Sequence, residues 1–149
     1  MNKLILLIIF LLFSGLVRAD NLYQIGIPQT NLKRTVLKIG NKQIEVQDAI
    51  TMQQKSLGLM YHKQLQQNDG MLFRFDVEQK LCFWMKNTYV ALTAAFIDEQ
   101  GTIIHLTDME PLDETNHCAA EPAKYVLEMN KGWFDVHNIK VGDVVLGLD

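Results

Sequence analysis

The chain is poor in the groups on which much hydrolytic and nucleotide chemistry is built. Serine occurs only at positions 14 and 56. Ser14 falls in a segment expected to be removed, which leaves Ser56 on an expected short helix and excludes a serine triad. No glycine-rich phosphate loop and no dinucleotide fingerprint is present. There is no basic run, no internal repeat and no low-complexity segment, and no Cys or His spacing has a zinc signature. The sequence has only two cysteines, Cys82 and Cys118.

What is present begins with an export pattern. Lys3 supplies a positive start, residues 4–13 are an unbroken apolar run, and Ser14-Gly15 ends it. Val17-Arg18-Ala19 then places small residues where a signal peptidase reads. A membrane span needs about 20 apolar residues, and this run falls well short. Residues 1–19 therefore read as a signal peptide, with a retained anchor as the alternative. Cleavage leaves 130 of the 149 residues, enough for one domain with its own core. It also removes Lys3 and Arg18, taking the formal charge from −3 to −5. An acidic domain without a basic patch is a poor partner for nucleic acid and for anionic membrane surfaces. The expected location is the periplasm or the exterior, with no stable membrane insertion after cleavage.

Two cysteines in an oxidising compartment read first as a disulfide, Cys82 to Cys118. A second reading makes one of them a thiolate nucleophile or redox thiol assisted by His105 or His117. Adjacent residues of an extended segment rarely face each other, which disfavours the His117–Cys118 pairing.

Residues 20–34 are polar and without period, an arm or linker to a single domain at 35–149. Residues 35–39 and 43–50 read as a hairpin around Gly40-Asn41. Thr51 followed by Gln54 forms a capping box for a short helix, with Met52, Leu59 and Met60 on one side and Gly58 at its end. Residues 70–75 alternate, with Met71, Phe73 and Phe75 opposite Leu72 and Arg74. Residues 81–86 alternate too, with Leu81, Phe83 and Met85 opposite Cys82, Trp84 and Lys86. Residues 92–98 are apolar on both faces, as in a central strand. Asp98 to Gly101 turns into a strand over 102–109, and a longer loop spans 110–122. A strand over 124–130, a short helix or turn over 132–137 and a closing strand over 144–148 complete the chain. The expected class is mainly β, a small closed or nearly closed antiparallel barrel with one or two short helices.

Several segments carry a family resemblance: Gly58-Leu59-Met60, residues 70–75 (GMLFRF), residues 83–88 (FWMKNT), Phe96-Ile97-Asp98, residues 125–130 (YVLEMN) and Val141-Gly142-Asp143. In this order they resemble the domain of unknown function 192 family over residues 35–148. The resemblance implies a compact barrel-like domain with short helices, often exported, and no established reaction. Two positions depart from the family pattern. His62 stands where Arg is common, and Ala91-Leu92-Thr93 stands where Pro-Leu-Asp is usual, which argues against a mechanism needing an acid at position 93.

Alternation puts Trp84 and Lys86 on one face, beside the polar corner Asn87-Thr88. The same parity puts Glu128 and Asn130 together on the strand 124–130. If the two strands approach, these six residues form a small pocket with an aromatic wall and a Lys/Glu pair, suited to a sugar, a peptide terminus or a carboxylate. The plainer alternative is a core Trp, a Lys whose stem packs while its head stays wet, and a turn. Asp108, Glu110, Asp113 and Glu114 lack the spacing of a calcium loop, and the methionines sit at core positions rather than as copper ligands. Asp98 and Asp143 sit in turns beside glycines, which explains them without a carboxylate pair for glycoside hydrolysis. No metal, cofactor or catalytic set is expected. The first functional reading is a non-enzymatic exported module that binds a small polar ligand or an envelope protein's peptide. The alternatives are an envelope glycan or peptide hydrolase or transferase using Glu128 as acid/base and Lys86 as stabiliser, and a thiol redox protein.

Overall fold

The computed structural model describes residues 26–149. The expected signal peptide and the first part of the 20–34 arm lie outside the described residues. The chain opens with a hairpin, β1 (Arg34–Ile39) and β2 (Lys42–Ala49). Ile39 faces Lys42 across it, so Gly40-Asn41 forms a two-residue turn, and Gly40 takes the required positive φ of 58°. Helix α1 (Met52–Leu57) starts on the capping box: the Gln54 amide N–H donates to Thr51 Oγ1, and the Thr51 N–H donates to the Gln54 side chain. Gly58 caps its C-terminus. Strand β3 (Gly70–Gln79) follows a long loop, and β4 (Cys82–Phe83) is short. Next come β5 (Leu92–Ile97), β6 (Ile103–Met109) and β7 (His117–Cys118). Strand β8 (Ala123–Asn130), α2 (Trp133–Val136) and β9 (Val145–Leu146) finish the chain.

Seven strands form one curled sheet in the order β6-β5-β8-β3-β2-β1-β9, and β4 pairs with β7 in a separate ribbon. Both faces of the large sheet are covered. On one, Leu72, Ala95, Ile97, Leu127 and Met129 meet Leu37, Ile39, Trp133 and Phe134. On the other, Met71, Phe73, Ala94, Phe96 and Val126 meet Leu59, Leu81 and Met85. This double coverage is why β5 reads as an unbroken apolar run. The two edges come together at a bridge between Thr102 and Val144. There the Ile103 N–H donates to the Asp143 carbonyl (2.9 Å) and the Val145 N–H to the Gly101 carbonyl (2.8 Å). This single bridge joins the two ends of the half-barrel, while the outer edge of β6 beyond Ile103 has no strand partner among the described residues.

The mainly β, nearly closed architecture expected from the sequence is observed, with one change in topology. Strands β2 and β3 run parallel, with Gln47 opposite Met71 and Ala49 opposite Phe73. The connection over 50–69 is long enough for a crossover and carries α1 across the face that holds Phe73. Helix packing also differs from expectation. Met52 is 69% exposed, while Leu59 and Met60 are buried beyond the helix end. The strand expected over 81–86 is only Cys82–Phe83, because the chain turns at Lys86-Asn87.

Arg74 and Asp48 lock the parallel pair. The Arg74 Nε lies 2.7 and 2.9 Å from the two Asp48 carboxylate oxygens, and its Nη1 donates to the Leu148 carbonyl, tying the C-terminus to the sheet. The Cys82–Cys118 disulfide joins directly opposed residues of β4 and β7 and closes a separation of 36 residues. On the chain-entropy account, a loop of this size stabilises the fold by about 4 kcal/mol. Replacing Arg74 by Leu leaves Asp48 buried and uncompensated, so denaturant unfolding should show a loss of about 3–5 kcal/mol. Replacing both by Leu should cost clearly less. Equal losses in the single and double variants would contradict this reading of the pair.

Candidate functional site

Strand β8 lies between β3 and β5, with Glu128 opposite Met71 on one side and Ala94 on the other. The pleat puts Val126 and Glu128 on the same face as Phe73 and Phe96, among apolar side chains. Glu128 is only 4% exposed, and burial pushes its carboxyl up from the ordinary 4.5 to about 8. It forms no ion pair or side-chain hydrogen bond among the described residues, and burial alone accounts for the shift. At neutral pH the group is therefore mostly the protonated acid.

The carboxyl borders a recess of about 40 Å³, room for roughly one group of a water molecule's size. Phe73, Phe83, Trp84, Thr88 and residues 55–60, from the last turn of α1 onward, complete its lining. Gly58, at φ 48°, turns the chain down against Phe73, and a Cβ there would sit 3.3 Å from the ring. Gly70 is needed for close approach, since a Cβ would collide with the Glu128 carbonyl oxygen and Met129 Sδ. Phe83 packs edge-on against Phe73 (4.9 Å) and Phe96 (6.0 Å), and the adjacent disulfide ties its strand to β7. Trp84 stands at the rim, 43% exposed.

The corner that supplies Trp84 and Thr88 is held in strained backbone. Tyr61 (φ 67°), Asn87 (54°) and Leu112 (64°) all adopt left-handed conformations without being glycine. The Tyr61 N–H donates to the Asn87 carbonyl (2.7 Å), and Asn87 Nδ2 donates to the Tyr61 hydroxyl (3.0 Å). The Leu112 N–H donates to the Thr88 carbonyl (3.0 Å). Such conformations cost about 1–3 kcal/mol each and persist only where surrounding contacts over-determine them.

Of the six residues singled out from the sequence, Trp84, Thr88 and Glu128 meet at the recess. Lys86 lies on the same side as Trp84, as alternation implies, but its ammonium sits 5.2 Å from the Trp84 ring centroid and does not line the recess. No Lys86–Glu128 ion pair forms among the described residues. Asn87 is spent on Tyr61. Asn130 donates to the Leu65 and Gln66 carbonyls (3.3 and 2.8 Å) and so pins the loop before β3. Phe73, Phe83 and the Gly58-Leu59-Met60 turn are not anticipated as lining: Phe73 comes beside Glu128 through the β3–β8 pairing, Phe83 on β4, and the turn through the crossover. Lys55 also lines the recess, but its ammonium donates to the Arg74 carbonyl (2.7 Å) and lies 4.5 Å from the Phe75 ring centroid.

The other sequence readings resolve locally. Thr93 Oγ1 donates to Asp108 (2.6 Å), so a carboxylate does stand beside position 93, contributed by β6. Both cysteines are in the disulfide, His117 Nε2 lies 3.2 Å from Asp113, and His105 packs against Phe96. Among the described residues no group of three or more His, Cys, Asp or Glu is placed to hold a metal.

The model of the DUF192 family, described as "uncharacterized ACR", matches residues 35–147. The chain belongs to the DUF192 family. Two crystal structures share its fold. A Sinorhizobium meliloti 1021 protein, described as a candidate transcription regulator, is 30% identical with a TM-score of 0.76, the match covering 80% of this chain and 97% of that one. A Novosphingobium aromaticivorans DSM 12444 protein of unknown function is 28% identical with a TM-score of 0.74, covering 79% and 88%. No match was found among curated proteins.

A carboxyl whose folded pKa exceeds its unfolded value holds its proton more tightly in the folded state. Its contribution to this DUF192 domain is intact below 4.5 and is lost as pH rises through about 8. Glu128→Gln removes that dependence. Between about pH 5 and pH 8 the variant should gain on the wild type by up to about 1.4 kcal/mol per pH unit in denaturant titrations. Parallel stability–pH curves for the two proteins would contradict the assigned state of Glu128.

Proposed function

We propose that this DUF192 domain is an exported binding module that holds a small polar ligand at the Glu128 recess. The observation that carries the proposal is the Glu128 carboxyl itself, buried, unpartnered among the described residues and bordering an open space. Such a group weakens the fold at neutral pH, and destabilising buried polar groups are retained where function needs them. Strained backbone at the corner supplying Trp84 and Thr88 is a second, independent mark of a site. Export is supported by the pattern of residues 1–19 and by the disulfide. Among the described residues no helix is long and apolar enough to cross a membrane.

The hydrolase or transferase reading has less support, because Lys86, its electrostatic stabiliser, rests on Trp84 outside the recess. The description of the Sinorhizobium protein does not transfer on physical grounds. The acidic sequence without a basic run supports a role other than nucleic-acid binding.

Thermal unfolding of the purified protein against envelope saccharides, peptides, carboxylates, amines and metals tests the proposal. A ligand at 100 times its Kd should stabilise by about 2.7 kcal/mol, a rise of several degrees for a domain of this size. Trp84→Ala and Glu128→Gln should each clearly reduce that rise. A shift that survives both variants places binding elsewhere on the molecule.

A further inference from the structure

The recess pairs one buried carboxyl with three aromatic residues. Glu128, the aromatic residues Phe73, Phe83 and Trp84, Thr88 and the turn that ends α1 line it. The one cation in the lining, Lys55, is already held by the Arg74 carbonyl and the Phe75 ring. An entering anion would meet a carboxyl and aromatic rings. The base of the recess, about 40 Å³, suits a group the size of water, so the head of a primary amine fits it better than a sugar ring or a quaternary ammonium.

We propose that the recess is a primary-ammonium site, taking the –NH3+ head of an unbranched alkylamine or of a lysine side chain with Glu128 as its counter-ion. Phe73 and Phe83 supply the aromatic walls, and Trp84 at the rim covers the alkyl stem. This rests on the reading of the recess as a binding site and names the chemistry of its occupant.

The proton balance follows directly. Before binding, Glu128 is mostly protonated. When the ammonium enters, the carboxyl gives its proton to solvent and the ion pair forms, with no other bond changed. The groups packed around Glu128 from β3 and β5 are apolar (Met71, Phe73, Ala94, Phe96), α1 contributes Lys55, and the β4 corner contributes Trp84 with Lys86 stacked over it. No other titratable side chain lines the recess among the described residues.

Titration calorimetry of the purified, disulfide-bonded protein with n-butylammonium, Nα-acetyl-lysine amide and tetramethylammonium tests this. Affinity for the two primary amines should rise by about tenfold per pH unit below pH 8 and level off above it. Heats measured in buffers of different ionisation enthalpy should show release of close to one proton near pH 6. Glu128→Gln should weaken both amines at least tenfold, and Trp84→Ala, at an exposed position, should weaken them while leaving the proton release intact. Tighter binding of the lysine derivative than of butylammonium would assign the site to a peptide side chain, and equal binding to a free amine. Tetramethylammonium binding as well as the primary amines, a flat pH profile, or full affinity in Glu128→Gln would each overturn the assignment. A saccharide or carboxylate whose binding is lost in Glu128→Gln, with no amine binding, would overturn the ammonium site while leaving the recess as the binding site. No response to any probe would count against both.

Discussion

Strand β8 sits between β3 and β5 and is covered on both faces, and that position constrains nearly everything around it. A strand paired on both edges and packed on both sides has no access to water, so its side chains must be apolar or satisfied from within. Val126, Leu127 and Met129 obey this rule. Glu128 does not. The sheet has no means of expelling it, because a shift of register by one residue would turn every neighbouring side chain to the wrong face. Instead the crossover between β2 and β3 leaves a gap above it, and the acid stays neutral.

What forms that gap is a set of local constraints that reinforce one another. Gly58 turns the chain at the end of α1, and Gly70 lets β3 approach β8 closely enough to bring Phe73 alongside. The disulfide anchors β4, and three left-handed residues hold the corner that follows. Apart from the disulfide, none of these features stabilises the fold by itself. Together they hold aromatic rings and a hydroxyl around one carboxyl, which is the kind of preorganisation that binding sites require.

The parts of this arrangement legible in the sequence are those set by local geometry. The Gly40-Asn41 turn, the Thr51–Gln54 capping box and the alternation of residues 70–75 depend on a few adjacent residues, and the fold realises them. Parity also places Glu128 on its own strand, whereas Trp84 lies past the end of β4 and lines the recess together with Phe83, which alternation set on the opposite face. Parity did not specify which face would meet which loop, because that depends on the parallel β2–β3 pair, and a crossover of sufficient length leaves no periodic trace. Phe73 and Phe83 read only as core residues. Lys86 was expected to pair with Glu128, but the positive φ at Asn87 redirects the chain, and the ammonium settles on Trp84 instead.

The protonation state of Glu128 decides whether the recess is a site, so the most direct measurement is its titration. The carboxyl carbon chemical shift of Glu128, followed by NMR across the pH range in the folded protein, should show a midpoint of about 8. A midpoint near the ordinary 4.5 would contradict it. It would mean that the group is solvated or paired in solution, and the recess would then be a gap in the packing rather than a site.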